Sequence, residues 1–383
     1  MTETTFRLYS IQKLCLVLAL CVFGAASAPG QKKEEQKALN RCWNISSLSP
    51  ADQPLSSDGR SIFFVSDGGV INSVDASTGI ATWKAELGGK VISNLLVRTT
   101  DLLAVTAPVG ETPQTAAAIL RSLSKETGIV NWSSKLSPAE RFYLGAANDN
   151  IVVVGDTGMI YLVPKDGGAA FWHSKVTDQV ASSPLIDDRR ILVPTISGKT
   201  FTVSVIDGNV RANHSAKYPS SSLAVIAERS LVIGDTRGNL TSYNLETAQK
   251  SWRFKAGARW YSVVEADKKI LAISADNFVY MLAPRRGNVI WKRRLSGRIA
   301  GEPAILDNLM VVAGSGESSA YVLDLANGRF VNEITLPDGD VFLSAPVKVS
   351  PRTVAMATRA GISLWSFDSC DELKKAAHVR RFL

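Results

Sequence analysis

The chain has 383 residues, of which 45% are hydrophobic and 20% are charged, and this composition excludes an intrinsically disordered protein. The formal net charge is +8, which favours anionic partners or surfaces. No motif of a nucleic-acid-binding protein accompanies the charge, so no nucleic-acid partner is predicted.

Residues 1–28 have the pattern of an export signal. Arg7 and Lys13 precede an apolar run from Leu14 to Ala26, and small residues follow it. The run is too short for a transmembrane helix, so we expect cleavage near residues 26–28, with a short retained anchor as the alternative. A polar linker over residues 29–40 then leads to the folded part of an exported protein.

Cys21 stands in a poor lipidation context. Leu18 lies three residues before it, as a lipidation signal requires, but Leu20 occupies the place of the small residue that should precede the cysteine. Lipidation of Cys21 is therefore not predicted.

A Gly-x-x-x-Trp frame recurs at a spacing of about 40 residues, first at Gly79 and Trp83. Each unit has a short apolar strand, a charged turn, a β-branched strand such as "NIVVVGD", a tight turn, a third strand and a Trp-bearing fourth strand. Four short strands repeated at this spacing predict the blades of a β-propeller. The Trp-equivalent positions are Trp83, Trp132, Trp172, Ala212, Trp252, Trp291 and Asn332.

An eighth unit is divided between the two ends of the chain. Residues 345–368 supply three strands, and "NRCWNIS" near the N-terminus supplies the missing Trp-bearing strand. A blade shared by both chain ends removes the sheet edges that an open array exposes. We therefore predict an all-β fold, an eight-bladed propeller of four-stranded antiparallel blades over residues 41–370, followed by a short basic tail at 371–383.

Two structural roles follow from this closure. Cys42 precedes Trp43, and Cys370 lies in the turn toward the same strand, so a Cys42–Cys370 disulfide is predicted, with two unpaired buried cysteines as the alternative. The tryptophans of the fourth strands are expected to fill the gaps that widen between blades away from the axis. They are Trp43, Trp83, Trp132, Trp172, Trp252 and Trp291.

The repeat unit, "SxP…VVVGD.GxIYxVD..TGxxxW", resembles the PQQ-like propeller repeat shared by quinoprotein dehydrogenases and by the BamB family of outer-membrane β-barrel assembly factors. The short loops and the lack of an adjacent Cys-Cys pair resemble BamB more than the dehydrogenases. The resemblance implies a non-catalytic scaffold, periplasmic or associated with the outer membrane, that acts as a monomer within a complex and binds an assembly component. The alternatives are a PQQ-dependent dehydrogenase or its relic, and an envelope propeller that binds carbohydrate or peptide.

No catalytic, metal or cofactor site is predicted. His173, His214 and His378 are isolated in the sequence and have no metal-ligand spacing. Carboxylates recur at one phase of the repeat, in the hairpin between the second and third strands, which indicates turn chemistry and not an active site. They are Asp67, Asp156, Asp235 and Asp276.

A protein-binding surface is predicted on the face where each fourth strand connects to the next blade. Basic residues recur there, aromatic residues accompany some of them, and both are common anchors of protein interfaces. The alternative is that the aromatic side chains pack between blades. The candidates are Lys90, Arg141, Phe142, Tyr143, Tyr218, Arg259, Trp260, Tyr261, Arg298 and Phe342.

Two further segments are candidates for contact. Residues 250–298 contain 12 Lys and Arg against 3 Asp and Glu, which suggests a solvated surface or a peripheral contact with anionic lipid or polysaccharide. Residues 107–117 lengthen a hairpin of the second blade on the face predicted to bind a partner.

Overall fold

The strands belong to eight antiparallel sheets, which confirms the predicted eight-bladed propeller. The computed structural model describes residues 38–46, 53–108, 115–299, 301–314 and 316–373. The predicted signal, most of the linker, the tip of the 107–117 hairpin and the tail beyond residue 373 lie outside these ranges. Among the described residues, no helix has the length and apolar character needed to cross a membrane.

The strands are numbered in chain order. The first strand is β1 (Asn40–Ile45). Blades 1 to 3 contain β2 (Ser56–Ser57), β3 (Ser61–Ser66), β4 (Val70–Asp75), β5 (Ala81–Glu86), β6 (Gly89–Val91), β7 (Leu96–Val97), β8 (Asp101–Pro108), β9 (Ala118–Ser124), β10 (Val130–Leu136), β11 (Phe142–Ala147), β12 (Asn150–Gly155), β13 (Met159–Val163) and β14 (Trp172–Lys175). A short 3-10 helix, Asp67–Gly69, joins β3 to β4.

Blades 4 to 6 contain β15 (Leu185–Ile186), β16 (Arg190–Pro194), β17 (Lys199–Ser204), β18 (Val210–Ser215), β19 (Ser220–Ile226), β20 (Ser230–Asp235), β21 (Asn239–Asn244), β22 (Lys250–Lys255), β23 (Trp260–Ala266), β24 (Lys269–Ser274), β25 (Phe278–Leu282) and β26 (Val289–Arg294). Blades 7 and 8 contain β27 (Ala304–Leu306), β28 (Leu309–Ala313), β29 (Ser319–Asp324), β30 (Phe330–Thr335), β31 (Val347–Ser350), β32 (Thr353–Thr358) and β33 (Gly361–Ser366).

The second strands of the blades form most of the core. Strands β12, β16, β24, β28 and β32 are buried along nearly their whole length. A neighbouring blade covers each face of such a strand, which is why its sequence is a continuous apolar run and does not alternate with polar residues. The β-branched runs that marked these strands in the sequence therefore lie between blades.

Blade 2 departs from the predicted four strands because its inner strand is split. Both β6 and β7 pair with β8. Between them, the Ser93 hydroxyl accepts a hydrogen bond from Val105 N at 2.8 Å, and the Asn94 side chain accepts from Leu144 N at 2.8 Å in blade 3. The interruption thus replaces ladder bonds with one side-chain bond inside blade 2 and one to blade 3.

The ring closes where the sequence predicts. Strand β1 pairs antiparallel with β33, with Trp43 opposite Leu364, and completes blade 8 as its outer strand. Cys42 and Cys370 form a disulfide with a Cα–Cα distance of 5.2 Å. The disulfide and the strand pairing together join the two ends of the propeller.

Each outer tryptophan packs on a glycine of the following blade. A Cβ atom on any of these glycines would lie between 2.5 and 2.8 Å from the indole. The pairs are Trp43–Gly79, Trp83–Gly128, Trp132–Gly167, Trp172–Gly208, Trp252–Gly287 and Trp291–Gly328. The glycine and the tryptophan of one sequence motif therefore serve opposite interfaces, one with the preceding blade and one with the following blade.

The indole N–H groups strengthen these contacts. Trp43, Trp83 and Trp252 donate to the carbonyls of Ala76, Lys125 and Pro284, at 2.9, 2.8 and 2.7 Å. Each acceptor lies in the turn between the third and fourth strands of the following blade. In blade 3 the contacting glycine is Gly167, one residue before the Gly168 of the sequence frame.

The two blades that lack a tryptophan also lack its glycine partner. Position 212 in β18 is Ala, and the matching turn of blade 5 has Ala248 where other blades have glycine, with a φ of 58°. Blade 7, with Asn332 in the Trp position, precedes blade 8, whose third and fourth strands come from opposite chain ends and share no hairpin. Tryptophan and glycine thus occur together or not at all.

Candidate partner-binding face

The two faces of the propeller are built from different turns. The upper face consists of the hairpins between second and third strands and of the connections from each fourth strand to the next blade. The lower face consists of the other two hairpins of each blade. All ten predicted partner-binding residues belong to the upper face by their place in the strand order.

The four predicted basic residues are exposed on the upper face. Lys90 lies in β6, Arg141 and Arg259 immediately precede the inner strands β11 and β23, and Arg298 lies in the connection from β26 to β27. Their backbones are fixed by the neighbouring hairpins: Arg141 O accepts from Asp156 N at 2.9 Å, and Arg259 O accepts from Ala275 N at 2.8 Å. The charged groups are thus presented to solvent from a rigid frame.

Three of the predicted aromatic anchors are wrong because they are buried. Phe142, Trp260 and Phe342 have at most 1% of their surface exposed. Trp260 packs edge-on against Tyr280, with ring centroids 5.5 Å apart. Successive side chains of a strand point in opposite directions, so the first aromatic of each pair at the start of β11 and β23 enters the interior.

The other three aromatics are tyrosines that remain partly exposed. Tyr143 follows Phe142, Tyr261 follows Trp260, and Tyr218 lies in the connection to blade 5. Burial raises the pKa of Tyr143, partly offset by Arg141, so its hydroxyl is protonated at neutral pH. The tyrosines can therefore donate and accept hydrogen bonds at the surface.

Blades 5 and 6 combine these tyrosines with cations. The Arg259 guanidinium lies 5.3 Å from the ring centre of Tyr261. Lys217 and Arg237 lie 5.5 and 5.6 Å from the ring centre of Tyr218. We call Lys217, Tyr218, Arg237, Arg259 and Tyr261 the upper basic cluster.

The two halves of the upper basic cluster are in contact through the backbone. A Cβ at Gly238, beside Arg237, would lie 2.4 Å from the carbonyl of Ala258, beside Arg259. Sequence reasoning missed Lys217 and Arg237, although both occupy turns of the face it had selected. The signal that could have found Arg237 is its place in the hairpin "DTRGN", because this hairpin lies on the same face as the blade connections.

Three of the recurring aspartates have structural roles. Asp235 accepts hydrogen bonds from the backbone N–H groups of Arg237 and Asn239, both at 2.9 Å. Asp276 accepts from Gly257 N and from the Tyr280 hydroxyl, both at 2.9 Å. Asp156 accepts from Glu140 N at 3.3 Å. These carboxylates hold the hairpins and blade connections of the upper face together.

The remaining predicted polar groups are dispersed. Asp67 is exposed in the 3-10 helix, and His173 is exposed on an outer strand. His214 is buried with its ring 5.3 Å from Tyr243, and burial lowers its pKa. His378 lies outside the described residues. Within the described ranges no group of three or more His, Cys, Asp or Glu could hold a metal ion.

A pocket of about 390 Å³ opens on the lower face beside the ring closure. Three of its four charged residues are already engaged. The Arg352 side chain pairs with Asp368 at 2.5 Å, and Asp75 accepts from the backbone of Ser77 and Thr78 at 3.0 Å each. The fourth charged residue of the lining, Arg60, is exposed in the hairpin between β2 and β3.

Comparison with known proteins identifies the family. The family model described as "Outer membrane protein assembly factor BamB" matches residues 36–142, 116–259 and 249–372. The chain belongs to the BamB family. It is 24% identical over 315 residues to the Yersinia pestis protein named outer membrane protein assembly factor BamB, covering 79% of this chain and 68% of that protein.

Structural comparison agrees on the fold alone. The crystal structure of BamB from Moraxella catarrhalis superposes with a TM-score of 0.66 at 13% identity, covering 86% of this chain and 100% of that one. The computationally designed Ika8 protein superposes with a TM-score of 0.69 at 14% identity, covering 85% of this chain and 98% of that one. Since a designed protein fits as well as BamB, the family assignment rests on the sequence match and not on shape.

Proposed function

We propose that this chain is a non-catalytic, exported scaffold that takes part in the assembly of outer-membrane β-barrel proteins by binding another protein of the assembly machinery. Membership of the BamB family supports the role, because its relatives are named as outer-membrane protein assembly factors. Export to the periplasm is part of the proposal, and it agrees with the N-terminal signal pattern.

The upper basic cluster is the observation that supports the binding site. Among the described residues, Lys217, Arg237 and Arg259 form no ion pair, and each lies against a tyrosine ring. The rings hold the cations over an aromatic surface without neutralising them. Such a surface suits an acidic or extended segment of a partner, whose carboxylates supply the missing counter-charges.

Charge reversal tests this assignment. We expect Arg237→Glu/Arg259→Glu to reduce recovery of assembly components with the tagged chain from envelope extract by at least about tenfold, because attraction becomes repulsion. The fold should be unaffected, since both side chains are exposed. The measurement is quantitative co-purification, with thermal unfolding of each variant as the check on folding.

The matched control reverses two exposed arginines of the lower face. Arg189→Glu/Arg229→Glu makes the same change in net charge in blades 4 and 5. Recovery should stay at the wild-type level in this variant. Equal loss in both variants, or no loss in Arg237→Glu/Arg259→Glu, would reject the upper basic cluster as the partner-binding site.

A further inference from the structure

The outer margin of the lower face carries an unusual combination of side chains in blades 6 and 7. Here the turn before each outer strand and the start of that strand join arginines to exposed apolar residues. We call this set the lower rim patch; it consists of Arg285, Arg286, Val289, Ile290, Arg329 and Phe330.

The apolar members are large and solvent-accessible. Val289, Ile290 and Phe330 are 41%, 47% and 50% exposed. Other blades also expose apolar residues after the turn glycine: Ile80 and Ile129 directly follow it, and Val130 is at the position equivalent to Val289. Apolar exposure in this region is thus shared with other blades, and the charge around it distinguishes blades 6 and 7.

The turn before the outer strand of blade 6 is basic, whereas the corresponding turns of blades 2 to 5 contain an acidic residue. The two residues before the glycine position include an acid in blades 2 to 5, namely Glu126, Asp166, Asp207 and Glu246. In blade 6 both residues, Arg285 and Arg286, are basic, and blade 7 adds Arg329 directly after Gly328. These three arginines form no ion pair within the described part of the chain.

The acidic groups around the patch are engaged elsewhere. Asp324, in the turn of blade 7, accepts from the backbone N–H groups of Ala326 and Asn327 at 2.9 and 3.1 Å. Asp267, in the neighbouring hairpin of blade 6, pairs with Lys269. The patch therefore presents a net positive charge to solvent.

The two blades form one continuous surface. Arg293 of blade 6 donates through Nε to Gly328 O of blade 7 at 2.7 Å, and its guanidinium lies 5.8 Å from the ring centre of Phe330. Gly328 itself abuts the indole of Trp291. Arg293, on the same strand as Val289 and Ile290, thus contacts Phe330 of the next blade.

We infer that the lower rim patch docks on the surface of an anionic lipid bilayer. Partly exposed branched and aromatic side chains gain by entering the interfacial region of a membrane, while arginines at the same depth contact lipid phosphates. The side chains stand in the turns before the outer strands and at the start of those strands, at the margin of the blades, and this place suits a planar surface better than an inserted peptide. The inference is independent of the partner proposed for the upper face.

Vesicle co-sedimentation tests the docking. The exported chain carries Cys21→Ser, so that no acyl chain can form there. It is mixed with phosphatidylcholine vesicles, with or without about 30% phosphatidylglycerol, a content at which basic residues add measurable membrane affinity. We expect selective binding to the anionic vesicles, weakened by salt. Arg285→Glu/Arg286→Glu should reduce the partition coefficient at least about tenfold.

A second variant separates lipid from a soluble polyanion. Val289→Ser/Ile290→Ser/Phe330→Ser should also weaken vesicle binding several-fold, because it removes the apolar contact. The control, Ile80→Ser/Ile129→Ser, changes exposed apolar residues one or two positions nearer the turn glycine, in acidic or neutral surroundings, and should bind as the wild type does.

The inference fails if the wild type shows no preference for anionic vesicles, or if the control variant loses as much binding as the patch variants. Binding that needs the arginines but survives the triple serine change would also overturn it, and would indicate a soluble anionic polymer as the ligand. Unchanged partner recovery in the patch variants shows that they remain folded and separates this result from the function proposed above.

Discussion

The contact between Trp83 and Gly128 leaves no space for a methyl group. A Cβ on Gly128 would lie 2.5 Å from the indole, and the backbone there has a φ of 72°. Both facts favour glycine, one through packing and one through conformation. The same pair of constraints acts at five other junctions of the ring.

We expect Gly128→Ala to lower the free energy of unfolding by about 2–4 kcal/mol, because overpacking adds to the cost of a left-handed alanine. Urea unfolding followed by tryptophan fluorescence measures the change. Removal of the indole gives the methyl group of the Gly128→Ala variant space. Trp83→Ala should therefore lower the free energy of unfolding less in the Gly128→Ala background than in the wild type.

Ala248 provides the control for this prediction. It has the same left-handed conformation, but position 212, where its partner would stand, has no indole. Ala248→Gly should change the free energy of unfolding by no more than about 1 kcal/mol. If Gly128→Ala proves as mild as Ala248→Gly, the indole contact is not what requires glycine.

At the scale of the element, hairpins of the lower face carry ionic links between blades. Asp58, in the first hairpin of blade 1, pairs with Lys125 of blade 2 at 2.8 Å. The carboxylate also accepts from the backbone of Arg60 and Ser61 at 2.9 and 2.7 Å. Burial alone would raise the pKa of Asp58, but Lys125 and these N–H groups outweigh it, so the pKa lies below its usual value.

The lowered pKa of Asp58 fixes the pH dependence of this link. A carboxyl whose pKa falls on folding stabilises the protein above its unfolded pKa, near 4, and loses that contribution as the pH falls through the folded value. Asp58→Asn should therefore lower the free energy of unfolding by about 1–3 kcal/mol at pH 7, and this cost should shrink as the pH falls below about 4. Urea unfolding at a series of pH values measures the difference.

The surface pair Lys84–Glu86 is the control for the Asp58 prediction. Both side chains are about 70% exposed, and their nitrogen and oxygen atoms lie 3.5 Å apart. Glu86→Gln should change stability by less than about 1 kcal/mol at any pH. A cost of Asp58→Asn that stayed constant from pH 7 to pH 2 would contradict the ionic explanation.

The strands and turns were predictable because their signals are local. The β-branched run "NIVVVGD" and the Gly-x-x-x-Trp frame mark β12 and the outer strands without any knowledge of neighbours. The glycine contact was not predictable in this way, because Gly79 receives the indole of Trp43 from a different blade. The burial of Trp260 follows from strand register, because of the two adjacent aromatic residues Trp260 points inward and Tyr261 outward.

At the scale of the whole molecule, the disulfide holds the closing blade. Residues Cys42 and Cys370 are separated by 328 positions, so the cross-link restricts the unfolded chain strongly. Cys42→Ser/Cys370→Ser should lower the free energy of unfolding by up to about 5 kcal/mol in the chain-entropy model.

Thermal unfolding with and without reductant checks this prediction. The wild type should lose stability when reduced, and the double variant should show no further change with reductant. Equal melting temperatures for the oxidised wild type and the double variant would show that strand pairing alone maintains the ring.

The two faces of the molecule also suit different surroundings. The upper basic cluster presents tyrosines and cations with little exposed aliphatic surface, whereas the lower rim patch adds exposed Val289, Ile290 and Phe330. If both proposals hold, a chain seated on lipid by its lower margin leaves the opposite face open to a protein partner.

The shared eighth blade has a consequence for biogenesis. Strand β1 is made before the other strands of the propeller, yet β33, the strand it pairs with, comes more than three hundred residues later. During delivery in the N-to-C direction, β1 therefore waits with an unpaired edge until almost the entire propeller has arrived. Chaperone protection of that early segment would matter more for this protein than for one whose first strand pairs at once.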